Sequence, residues 1–125
     1  MKSLIVKNGI AMGLILLIAI GSAFASAKNT DLVGTWKYEA PSAPYEYSTG
    51  KIIFSEAGDK LEGKLKIGSN EIDLRNVQFE GNEVNFGAYV EDEYIKLKLT
   101  VKKGTFTGKA SYSEGSLEVT GEKEK

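Results

Sequence analysis

The chain has 125 residues, 42% of them hydrophobic and 26% charged, and its 16 basic and 17 acidic side chains nearly cancel. Such a balance supports a folded core and supplies no basic stripe for nucleic acid. Histidine and cysteine are both absent, which excludes disulfides, a thioether-linked lipid anchor, Ser-His-Asp and Cys-His catalysis, and imidazole or thiolate ligands for zinc.

Residues 1–27 have the layout of a secretory signal peptide. Lys2 and Lys7 form a positive n-region, 10–24 an apolar run, and Ala23-Phe24-Ala25 or Ala25-Ser26-Ala27 a small-x-small cleavage site. Lys28, Asn29, Thr30 and Asp31 follow at once, so the run falls short of the roughly 20 apolar residues that a bilayer span needs. Cleavage after Ala25 or Ala27 is expected, leaving one secreted or periplasmic domain, 28–125, with no stable membrane anchor. Loss of Lys2 and Lys7 leaves 14 basic residues against 17 acidic ones, a charge of about −3. The lysines alternate with Glu and Asp, and Arg75 is the sole arginine. Neither nucleic acid nor an anionic membrane surface is an expected partner.

From Leu32 onward the hydrophobic period is two, in short segments cut by Gly, Asn and Asp turns, the pattern of an all-β meander. Eight strands are expected, over 32–39, 50–55, 60–67, 71–79, 83–89, 93–101, 105–113 and 116–121. In the third, Leu61, Gly63, Leu65 and Ile67 share one face and Lys60, Glu62, Lys64 and Lys66 the other. The sixth repeats this with Ile95, Leu97, Leu99 and Val101 inward, and the seventh groups Phe106, Gly108, Ala110 and Tyr112. In the fourth strand Ile72 and Leu74 have even parity and Val77 and Phe79 odd, which predicts a bulge near Arg75-Asn76. Glycine-bearing turns between the segments predict hairpins. Eight hairpin-linked strands with one apolar face close most economically into an antiparallel up-and-down barrel, which removes exposed edges.

An apolar residue, any residue, then glycine recurs at Leu32-Val33-Gly34, Leu61-Glu62-Gly63, Phe106-Thr107-Gly108 and Val119-Thr120-Gly121. Inward glycines of this kind bend strands or leave space for a bulky neighbour. Gly34-Thr35-Trp36 on the first strand resembles the Gly-x-Trp of lipocalin and avidin-like barrels, and the connection 40–49, with Pro41 and Pro44, is similar to the loop that lids a lipocalin mouth. The resemblance implies a lipocalin-like (calycin-type) module, of the small kind found in exported bacterial proteins, with Trp36 as the plug of one barrel end. The chain departs from that pattern. It is shorter, lacks a C-terminal helix, and has no arginine near the last strand to pack over Trp36, for which Lys123 is a weak substitute. Trp36 is the only tryptophan, unlike the several that line avidin-like biotin sites.

An eight-stranded barrel is just wide enough to be filled by side chains or to hold one small ligand. Trp36, Phe54, Phe79 and Phe86 have aliphatic neighbours and suit filling. Tyr38, Tyr45, Tyr47 and Tyr112 carry hydroxyls that need polar partners, and these four with Phe106 are the expected ligand contacts, gathered opposite Trp36. The carboxylates lie in turns or at outward positions, so no catalytic pair and no enzyme activity is expected. Glu91-Asp92-Glu93 lacks the spaced ligands of a calcium loop and reads as a solvated hairpin tip. Neither a metal nor a cofactor is expected. The function these features favour is non-catalytic capture of a small apolar or amphipathic molecule. The alternative is a filled barrel that binds an exported protein, like the small periplasmic metalloprotease inhibitors that share this barrel and Gly-x-Trp; Lys28 to Asp31 would then be the inserting arm.

Overall fold

A computed structural model describes residues 29–125; the expected signal segment, 1–27, lies outside them. After a single helical turn, α1 (Asn29–Leu32), the chain forms nine strands: β1 (Gly34–Glu39), β2 (Thr49–Ala57), β3 (Lys60–Ile67), β4 (Asn70–Asp73), β5 (Arg75–Glu80), β6 (Glu83–Val90), β7 (Glu93–Lys102), β8 (Thr105–Tyr112) and β9 (Gly115–Lys123). They make one antiparallel sheet in the order β4-β3-β2-β1-β9-β8-β7-β6-β5. Its two edge strands, β4 and β5, are consecutive and separated only by Leu74. A sheet whose opposite edges are joined by one residue must be rolled up, and the result is a nearly closed barrel.

Nine strands replace the expected eight because the fourth changes partner midway. Its first half, β4, pairs with β3, whereas its second half, β5, pairs with β6. Asn76 takes a left-handed φ of 54° and the register shifts between Arg75 and Gln78, where the parity of the apolar residues changes. The hydrogen bond from Leu74 N–H to Gly63 O, at 2.9 Å, extends the β3–β4 ladder by one more pair. Above it Lys60 to Gly63 of β3 and the outer edge of β5 have no strand between them. Leu61, Leu74, Val77 and Phe79 line an open groove there. The first strand also starts later than expected, since Leu32 belongs to α1.

Alternation determines which side chains face inward. Along β3 every Lys and Glu is exposed, while Leu65 and Ile67 are buried and Leu61 half-buried. In β7 Leu97 and Leu99 are buried and Ile95 and Val101 half-buried. Each fully buried aliphatic or aromatic side chain contributes about 1.5–3 kcal/mol. The largest of them are concentrated at one end of the barrel: Trp36, Phe54, Leu32, Leu99 and Val84 are each at most 2% exposed.

Trp36, with no exposed surface, plugs that end. Its indole N–H donates to Leu32 O at 2.8 Å, so the polar atom of the ring is satisfied inside the core. The Trp36 and Phe106 rings lie 5.6 Å apart, and Phe54 and Phe86 meet edge to face at 5.7 Å. Lys123 is the cross-strand neighbour of Trp36; its Nζ stands 5.8 Å from the indole centroid and donates to Asp31 O at 3.0 Å. The lysine therefore occupies the position over the indole for which it was expected to be a weak substitute. Gly34 makes this approach possible: at its φ of 138° a Cβ would meet Lys123 Cε at 2.8 Å. Gly121 does the same for Phe106, whose ring lies where a Cβ would stand. Gly34 and Gly121 thus seat the large side chains beside them, whereas at Gly108 a Cβ would meet the β7 backbone at Lys98 O and Leu99 Cα, the mark of closely approaching strands.

Removing the plug should empty the closed end. Trp36→Ala is expected to lower unfolding free energy by about 3–5 kcal/mol in denaturant titration; a loss below about 1 kcal/mol would contradict the plug.

Candidate functional site: the cavity at the barrel mouth

At the opposite end the side chains are smaller. The connection 40–48 folds over the opening through backbone hydrogen bonds from Ala40 N–H to Ser48 O (2.7 Å), Ala43 N–H to Ala40 O (2.9 Å) and Tyr47 N–H to Pro44 O (2.8 Å), the last opening a turn of 3₁₀ helix, Tyr45–Tyr47. Tyr38, at the end of β1, anchors this lid with its hydroxyl, which donates to Tyr47 O at 2.9 Å. The Tyr38 ring lies across Gly50 on β2, where a Cβ would meet Cε2 at 2.6 Å.

Beneath the lid is a cavity of about 450 Å³, within the range of roughly 300–1,000 Å³ typical of small-molecule sites. Ile52, Leu65 and Ile67 form one wall, and Ile95, Leu97, Leu117 and Val119 the other. Ala40, Ala43 and Ala110 are the small residues that leave the space. Tyr38, Tyr47 and Tyr112 bring hydroxyl-bearing rings to the lining. Tyr112 is 37% exposed and stands at the rim.

Two of the expected contacts lie elsewhere. Tyr45 is 95% exposed and outside the cavity. In an extended loop it would share a face with Tyr47, but in a 3₁₀ turn of three residues per revolution they diverge. Phe106 faces inward as its parity requires, yet at the closed end against Trp36. Parity gives the face of a strand, not the depth along the barrel.

Two acidic lining residues were not expected. The turn between β6 and β7 brings Glu91 and Glu93 to the rim, and Val90 beside them. Glu91 (φ 49°) and Asp92 (φ 70°) both adopt the left-handed conformation that a two-residue hairpin turn demands. Glu93 Oε2 accepts hydrogen bonds from Ser113 N–H (2.9 Å) and Ser113 Oγ (2.5 Å), tying this turn to the one between β8 and β9. The signal was present in the sequence: Glu93 has the parity of inward Ile95 and Leu97. Those two bonds, the side-chain one first, hold the Glu93 carboxyl below its ordinary range. Burial pushes Tyr38 the other way, from 10.0 up to about 12. Among the described residues no three acidic side chains converge as a metal site would require.

The chain matches no family model, and no curated protein matches it. Among solved structures it is similar to a redesigned β-barrel, with a TM-score of 0.60 at 16% identity, over 78% of this chain and 95% of that one.

Because the Tyr38 phenol is harder to ionise folded than unfolded, the native state retains a proton that the unfolded chain releases between about pH 10 and pH 12. Stability should fall as pH rises through that interval, and Tyr38→Phe should flatten the fall. Subtracting the phenolate absorbance of Tyr38→Phe from that of the native protein should leave one ionisation near pH 12; a component near pH 10 would contradict the burial. What this chain shares with the solved structure it resembles is the barrel fold.

Proposed function

We propose that this chain is an exported, non-catalytic binding protein that captures one small apolar or amphipathic molecule in the cavity at the barrel mouth. The observation that carries the reading is the cavity of about 450 Å³ under a lid held by Tyr38, walled by aliphatic side chains and edged by tyrosines. Burial of an apolar body in such a space is favourable at about 25 cal/mol per Å² of apolar surface, less the cost of immobilising the ligand. The tyrosine hydroxyls and rim carboxylates orient it. Export is supported by the layout of 1–27, and the absence of histidine and cysteine supports a non-catalytic role. The lipocalin-like assignment is supported by Gly34-Thr35-Trp36, the lid and the plug. Release into a secreted or periplasmic compartment without a membrane anchor follows from cleavage after Ala25 or Ala27.

The second reading, binding of an exported protein, is supported by the open seam between β3 and β5. Unpaired strand edges there are the kind of surface on which another chain can add a strand. The segment first expected to act as an inserting arm is less suited to it. Its described residues, Asn29 to Asp31, belong to the helical turn docked on the plug, with Lys123 bonded to Asp31 O.

Ala110 separates the two readings, because it lines the cavity and is 7% exposed. An apolar fluorophore should bind the native protein saturably. Ala110→Phe should abolish that binding and leave the thermal midpoint close to the native one, since the cavity accepts the ring. A destabilisation of about 1–3 kcal/mol together with no binding by the native protein would mean that the space is not available, and would favour partner binding at the seam.

A further inference from the structure

We infer that the ligand of the mouth cavity is an amphipathic cation, its apolar part between the aliphatic walls and its positive group beside Glu91 and Glu93. This rests on the capture reading above and adds to it the sign of the ligand's charge.

The lining as a whole points that way. Among the described residues, Glu91 and Glu93 are its only acidic members, and no lysine or arginine lines it. The remainder is aliphatic, alanine, proline, serine and tyrosine. Glu93 is fixed at the rim by both Ser113 hydrogen bonds, which involve Oε2 and favour the ionised carboxylate. These bonds orient its charge without neutralising it, since neither donor is a cation. Glu91 makes no hydrogen bond or ion pair among the described residues. An opening of one sign set in low-dielectric walls focuses its field on the space between them. A cation entering the cavity meets that field, while an anion of the same shape would lose hydration and find no positive partner. Tyr47 and Tyr112 add aromatic rings to the same lining, and aromatic side chains suit substituted ammonium groups.

Three probes with one tail and different heads test this: octyltrimethylammonium, octanol and octanoate, each titrated calorimetrically below its micellar concentration into the purified protein. The expected order is cation, then alcohol, then anion, with the cation ahead of octanol by about fivefold to tenfold, the effect of one or two partly screened charge contacts. In Glu91→Gln, which loses no hydrogen bond or ion pair among the described residues, that preference should shrink by about threefold, and in Glu91→Gln with Glu93→Gln it should approach unity. If the double variant does not fold, as judged by its thermal midpoint, the single variant decides. Octanol binding as tightly as the cation, or a cation preference that survives Glu91→Gln unchanged, would overturn the charge assignment and leave capture standing. Failure of all three probes to bind the native protein would overturn capture itself.

Discussion

The pairing of the first strand with the last is the constraint on which the rest of this structure depends. A meander of hairpins has two free edges, and antiparallel contact between β1 and β9 turns those ends into neighbours. Lys123 then lies opposite Trp36, and Gly121 opposite Tyr38. One consequence is the sealed end, where the indole, the helical turn and the lysine stem are packed together. Another is the displacement of the free edges to β4 and β5, where a single residue joins them. The β3–β4 ladder runs out at Leu74, so what stays open is a seam, not an edge along the full length of a strand.

The division of large and small side chains between the two ends makes the site. Aromatic and branched residues fill the plug end, with Trp36 against Phe106 and Phe54 against Phe86. At the mouth Ala110 takes a position of the same inward parity as Phe106, and the lid adds the small side chains of Ala40 and Ala43 over the resulting space. A barrel of this size can be filled or hollow, and here it is filled at one end and hollow at the other. Tyr38 belongs to both regimes: its ring packs across Gly50 and its hydroxyl holds the lid.

Much of this was legible in the sequence, for physical reasons that also explain what was not. Period-two alternation fixed the inward residues of β3 and β7, because a one-residue slip would expose every apolar side chain. The parity break at Arg75-Asn76 was visible as a bulge, but its meaning, a change of pairing partner, depends on strands that the local pattern does not specify. Tyr47 and Tyr112 could be placed near the mouth, whereas Tyr45 was misplaced by a 3₁₀ turn inside a loop. Phe106 was misplaced in depth, since alternation carries no information along the barrel axis. The run Glu91-Asp92-Glu93 forms the exposed hairpin tip that its charge suggests, and what charge alone does not indicate is that the inward parity of Glu93 also sets it on the cavity rim.

The central claim is that the mouth, and not the plugged end, receives a ligand. Methyl resonances of the isotope-labelled protein titrated with octanol test this directly. The account predicts saturable shifts at Ile52, Ile67, Leu97 and Val119, with Val84 and Leu99 at the far end unmoved. Absence of shifts, or shifts of equal size at both ends, would contradict it.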